Sequence, residues 1–169
     1  AGILSWGQDM DHEHNPFQCN LGYQVSLSGK GQWSKQTDYV GKEALEKMKQ
    51  QLKNGEKPYK LQLVGLELKG GKPIEDYAND FWLISNANGG KPVGYITSPW
   101  YHPEKGKNIA MGYVPFEGNL NNNGFPTGNF GKKYKVHLPK KYSNKPVDAV
   151  VVPVPFTESF NPNTREVKK

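Results

Sequence analysis

Leu45, Met48 and Leu52 recur at i, i+3 and i+7 within GKEALEKMKQQLKNG, and Lys42, Glu43, Glu46, Lys47 and Lys49 fill the positions between them. That period predicts one amphipathic helix over about 41–54, with its apolar stripe packed, its charges in water and Gly55 as the stop. After Pro58 the pattern changes. KLQLVGLELK (60–69), FWLIS (81–85), VGYITS (93–98), NIAMGYV (108–114), KYKVHL (133–138) and DAVVVPV (148–154) are short apolar or alternating runs separated by Gly, Pro and Asn clusters. Strands at this spacing predict a barrel or a sandwich. The first 37 residues are irregular, apart from YQVSL (23–27), where Tyr23, Val25 and Leu27 would share one face of a strand.

Two stretches carry no such pattern. FEGNLNNNGFPTGNFGKK (116–133) is long and rich in Asn and Gly, as functional loops are. TESFNPNTREVKK (157–169) has little to bury and reads as a surface tail.

A length of 169 residues and 35% hydrophobic content suffice for one cored domain, or for one domain and a piece of another. Mean hydropathy of −0.78 points to long polar loops, and no apolar run reaches membrane-spanning length. The net charge is +6, but Arg165 is the only arginine among 22 basic residues. Arginine forks are the usual readers of phosphate and guanine, so scattered lysine points to a solvated surface and away from nucleic acid. One cysteine excludes an internal disulfide and suits a reducing cytoplasm. Ala1 leads directly into the apolar AGILSW, which reads as a chain whose beginning lies elsewhere.

GQDMDHEHNPFQC (7–19) is the densest collection of possible metal ligands: Asp9, Asp11, Glu13, His12, His14 and Cys19. Nothing around it reads as a strand that would bring His12 and His14 to one face, Asn15-Pro16 signals a turn, and His102 and His137 are isolated. The expectation is a solvated loop with no metal. Cys19 has no histidine at a spacing that would activate it, and no serine sits in a nucleophile elbow. The GGKP pieces (70–73 and 89–92) lack phosphate-loop spacing and read as turns. No catalytic residue is assigned.

Taken in order, LSWGQDMD (4–11), NPFQCNLGYQVSL (15–27), DYVGKEAL (38–45), LVGLEL (63–68) and VGYITSPWYHPEKGKNIAMGYVP (93–115) resemble the C-terminal half of the folate-dependent aminomethyltransferases, the glycine-cleavage T-protein and its relatives. The match runs over about residues 1 to 115 and more loosely to 156. The Asn-Pro-Phe turn, the Tyr-Gln-Val-Ser-Leu run and the altered barrel segment look closer to the demethylase branch, which moves a methyl group from dimethylsulfoniopropionate or an aryl methyl ether onto tetrahydrofolate.

The resemblance implies a mainly β fold: an antiparallel C-terminal β-barrel over 56–156, preceded by an irregular segment and one helix (1–55) that would end the folate-binding body. It implies tetrahydrofolate as cofactor, a small methyl or aminomethyl donor, and an upstream polypeptide carrying the family's Arg-x-Glu, its acid and its pterin clamp. The 169 residues alone are therefore expected to be inactive. The implied folate-binding residues are Trp6 and Tyr23, in the stretch bordering the folate channel, with Ser98, Trp100 and Tyr101 in a channel-facing turn beside Thr97. Aromatic bulk at Trp6 and Tyr23 would suit stacking on a pterin–benzoate ligand, the alternative being two core aromatics. Ser98-Pro99 stands where the family has Ser-Gly, so the backbone hydrogen bonding there should differ. A rival expectation from another class is a free-standing barrel that binds carbohydrate through its four tryptophans and nine tyrosines.

Overall fold

Six strands close into one antiparallel barrel in the computed structural model, which describes residues 2–25, 38–118 and 128–156. They are β1 (Leu61–Lys69), β2 (Trp82–Asn86), β3 (Gly89–His102), β4 (Lys107–Pro115), β5 (Lys133–Val136) and β6 (Val147–Val152), in the spatial order β1-β4-β3-β2-β5-β6. Closure leaves no unpaired sheet edge along most of the wall. Alternation decides which side chains fill it: Val64, Leu66 and Leu68 of β1 meet Ile84, Ile96, Ala110, Val114, Tyr134, Val136, Ala149 and Val151 in one interior cluster. Asn86 pairs with Gly89 across a two-residue hairpin, and the positive φ of Gly89 and Gly90 (+82° and +98°) is why glycines stand there.

β3 is longer than its apolar run, and the segment expected as a turn lies inside it. Ile96 pairs with Gly112 and Ser98 with Met111, so Thr97 is an extra residue, a bulge, in a continuous strand. Pro99 is accommodated because β2 ends at Trp82, opposite Ile96. The amide of Tyr101, two residues on, points away from β4 and donates to Ile74 O at 2.8 Å. The Pro99 nitrogen faces the same open side and removes no ladder bond.

Outside the barrel lie two further packed groups. Helix α1 (Lys42–Lys53) sets Leu45, Met48 and Leu52 against Phe17, Tyr59 and Phe116, whose two rings stack at 4.6 Å. Burying Leu52 there contributes about 1.5–3 kcal/mol of apolar transfer. Leu63, Met111, Tyr113 and Phe156 form the second group on the outer wall, with Leu4, Ile109 and Val154 against them. Gly65 is required beneath that cover, since a Cβ would stand 2.6 Å from Val154 Cγ2 and 2.9 Å from Val152 O.

The start of the strand expected at 23–27 is not extended. Gly22–Gln24 is a 3₁₀ turn closed by Gln24 N–H to Leu21 O and Val25 N–H to Gly22 O, and residues 26 and 27 lie outside the described residues. So do 119–127 of the Asn/Gly-rich loop and the tail from 157. Among the described residues no helix is long and apolar enough to cross a membrane.

Candidate functional site

Residues 2–25 form an arm seated on the outer wall of β1, β4 and β3, which corrects the expectation of a solvated loop. Asp9 is 1% exposed, Cys19 2%, and Phe17 is buried. The charge-rich run is buried at its two ends: Asp9 and Cys19 turn to the barrel while His12 and Glu13 between them stay in water. Among the described residues no three His, Cys, Asp or Glu side chains stand close enough to share a metal ion.

Asp9 holds the first contact. Its carboxylate Oδ1 accepts from Thr97 Oγ1 at 2.5 Å and Ser98 Oγ at 2.6 Å, and its Oδ2 accepts from Ser5 N–H at 2.9 Å. Consecutive strand residues ordinarily face opposite ways; the bulge at Thr97 brings both hydroxyls to one oxygen. The arm closes on itself around this carboxylate, with Asp9 N–H donating to Ser5 O and Gly7 N–H to Met10 O, both at 2.8 Å. Gln8 adds a second tie: Nε2 donates to Thr97 O at 2.5 Å, and Oε1 accepts from Tyr77 Oη–H at 3.1 Å.

A second contact runs through Tyr113, which has no exposed surface. Its hydroxyl donates to Asp9 O at 2.7 Å and lies 3.4 Å from Cys19 Sγ. Burial pushes the Cys19 thiol above its ordinary range, so it stays protonated and its S–H faces the remaining lone pair of Tyr113. Burial likewise raises the Tyr113 phenol. His14 packs on the same ring at 4.7 Å, with Nδ1 2.7 Å from Asp11 Oδ1 and Nε2 3.4 Å from Tyr95 Oη. The Glu13 amide and then His14 hold the Asp11 carboxyl below its ordinary value. Further along, Gln62 of β1 donates to Gln18 O and Asn20 Oδ1, each at 2.8 Å, and fixes the end of the anchor.

The implied ligand residues divide between support and surface. Trp6 is 68% exposed at the tip of the Asp9 turn. Tyr23 is 55% exposed on the separate 3₁₀ turn beyond Phe17–Cys19, its hydroxyl accepting from Gln24 Nε2 at 3.0 Å. Trp100, 45% exposed, lies on the outer wall opposite Ile109, while half-buried Tyr101 faces the β3–β4 turn near Gly106. The Ser98 hydroxyl is engaged by Asp9. The structure thus joins the Trp6 turn to Ser98 and leaves Tyr23 on its own turn. Asp9, Gln8 and Tyr77 were missed as site residues, because their partners lie 69 to 89 positions away. His137, isolated in sequence, stands 3.0 Å from Ser85 Oγ; Ser85 is buried and has no open face to a substrate.

Chemically, the arrangement holds and presents. The Asp9 carboxylate is occupied by three donors and Cys19 is buried and protonated, so neither is a free base or nucleophile. What faces outward is aromatic surface on a braced turn.

Known proteins resemble this chain in sequence and fold. Residues 62–157 match the family model described as the glycine cleavage T-protein C-terminal barrel domain. An aminomethyltransferase from Thermosynechococcus vestitus is 35% identical over 157 residues, which cover 92% of this chain and 34% of that protein. One from Thermotoga maritima is 36% identical over 114 residues, covering 68% of this chain and 26% of its own length. The crystal structure of the glycine cleavage system aminomethyltransferase T from Bartonella henselae superposes with a TM-score of 0.61 at 21% identity, over 94% of this chain and 36% of that one. The chain spans about a third of the length of the first two relatives it matches, or less.

Proposed function

This chain belongs to the glycine cleavage T-protein family through its C-terminal barrel domain, and on that premise we propose that it is the C-terminal part of a tetrahydrofolate-dependent one-carbon transferase. The observation that carries this reading is the braced turn: a buried carboxylate with three donors holds the turn whose tip exposes Trp6, an aromatic face open to a ligand. Residues 1–55 then finish a folate-binding body that an upstream polypeptide begins, and the barrel follows over 56–156.

The residues present fit the cofactor. Tetrahydrofolate is planar at its pyrimidine and benzoyl rings and anionic at its glutamate end. Trp6, Tyr23 and Trp100 offer exposed aromatic faces. Glu67, which pairs with Ile109 beside Trp100, is shared by Lys105 at 3.1 Å and Lys107 at 3.2 Å, leaving one positive charge in excess. When bound, tetrahydrofolate supplies the amine that takes up the carbon. The protein's share is orientation and exclusion of water: Trp6, Tyr23 and Trp100 would line the ligand, Tyr101 would border it, and Ser98 would act through Asp9. The donor is an aminomethyl group or, in the demethylase branch, a methyl group. The setting is the cytoplasm, consistent with one buried, reduced cysteine. A free-standing carbohydrate-binding barrel is disfavoured, because the similarity to an aminomethyltransferase covers 92% of the chain and so takes in the arm and α1 ahead of the barrel.

The test is calorimetric titration of the longer polypeptide with tetrahydrofolate, alongside a transfer assay. Saturable binding is expected, with no turnover by the 169 residues alone. A longer polypeptide that fails to bind tetrahydrofolate would overturn the reading, and turnover by the isolated chain would overturn its partial character.

A further inference from the structure

We infer that Asp9 is the positioning residue for Trp6: its carboxylate fixes the 5–10 turn against the bulge of β3 and so sets the place and order of the indole. The part of this inference that concerns ligand rests on the folate reading above; the part that concerns Trp6 itself does not.

Trp6 is mostly exposed, so the backbone on either side of it is what the arm can fix. Here its two chain neighbours are both tied: Ser5 N–H to Asp9 Oδ2, and Gly7 N–H to Met10 O. The tie continues into the barrel through Oδ1, which receives Thr97 and Ser98 together. That double contact exists only because Thr97 is the extra residue of the bulge; a regular strand would turn one hydroxyl into the core. Thr97 Oγ1 also lies 3.2 Å from Met111 O, so its one hydrogen has two acceptors in reach, of which Asp9 Oδ1 at 2.5 Å is the nearer. A buried carboxylate held by three donors is costly to assemble and strongly weakened by loss of any one of them. Its only exposed dependents are the side chains at the tip, of which Trp6 is the large one. Gln8, tied to Thr97 O and Tyr77, supports the same turn from its far side.

The test separates position from stability. In the 169-residue chain, the Trp6 signal is isolated as the difference in fluorescence between the chain and its Trp6→Phe version. The same difference is measured in an Asp9→Ala background and in the milder Ser98→Ala background, all at temperatures well below unfolding. Steady-state anisotropy of the Trp6 signal is expected to fall in Asp9→Ala and to fall less in Ser98→Ala. Asp9→Asn, which keeps the shape and one acceptor oxygen, should recover part of it. In the longer polypeptide, Asp9→Ala should raise the Kd for tetrahydrofolate about tenfold. Unchanged Trp6 anisotropy in folded Asp9→Ala and Ser98→Ala, whatever their melting temperatures, would overturn the inference and make Asp9 a structural tie only. If anisotropy falls while Trp6→Ala binds tetrahydrofolate as the parent does, the positioning stands and the ligand role of Trp6 fails.

Discussion

Tyr113→Phe should release the arm while leaving the barrel's packing intact. The ring stays, and with it the contacts to His14 at 4.7 Å and Tyr95 at 5.3 Å. The change removes one O–H, which donates to Asp9 O at 2.7 Å in a fully buried position. A buried acceptor left without its donor costs about 1–3 kcal/mol. Because the hydroxyl's own desolvation is also removed, the expected loss is about 1–2 kcal/mol, or roughly a five- to thirtyfold larger population with the arm open. The chain supplies its own reporter, since Cys19 is its only cysteine and sits on the buried face of the arm, against Tyr113. With reclosing fast, the rate of thiol labelling by an aromatic disulfide reagent follows that open population. Labelling of Tyr113→Phe should therefore be about five- to thirtyfold faster than in the parent at the same pH. Tyr95→Phe, whose hydroxyl is 3.4 Å from His14 Nε2, should change the rate by less than about threefold. Equal labelling rates for Tyr113→Phe and the parent would refute the coupling of arm to wall through this bond.

Gly65→Ala should cost about 1–3 kcal/mol in urea unfolding, because its Cβ meets Val154 and the Val152 carbonyl. Leu52→Ala should cost about 2–4 kcal/mol and remove hydrogen-exchange protection over α1 first, since Leu52 anchors the helix to Phe17, Tyr59 and Phe116. For Glu67, burial alone would raise the carboxyl, but the hydrogen bonds from Lys105 and Lys107 outweigh it and hold the pKa below its ordinary 4.5. Its stabilisation is then fully present above that value and lost as the pH falls through the depressed one. Glu67→Gln should lower stability by about 1 kcal/mol at pH 7, and the gap to the parent should close in unfolding curves measured at the acid end.

What could be read from sequence was whatever depends on near neighbours. The helix stripe at Leu45, Met48 and Leu52 lies within eight residues, and it packs as the period required. The apolar runs at 60–69, 81–85, 108–114 and 148–154 each overlap a strand for the same reason. Failures occurred where distant residues decide. YQVSL alternates, yet its start closes on Leu21 and Gly22 as a turn. Residues 97–101 are a turn by the family resemblance but lie inside β3, where Pro99 is tolerated because β2 does not reach past Trp82, opposite Ile96. Asp9 looked solvated because charged runs usually are. Its burial is set by Thr97 and Ser98, which a bulge 88 residues away delivers to it.

The central claim is that the arm presents Trp6 to tetrahydrofolate, and the most direct measurement is a tetrahydrofolate titration of Trp6→Ala in the longer polypeptide, paired with thermal unfolding. Loss of a stacked aromatic costs about 1–3 kcal/mol, which is roughly a tenfold to hundredfold rise in Kd. The account predicts that rise with an unchanged melting temperature, since Trp6 is 68% exposed. Trp82→Ala, which opens the core beside Tyr142, should melt early and, while folded, bind normally. Normal binding by Trp6→Ala would contradict the account.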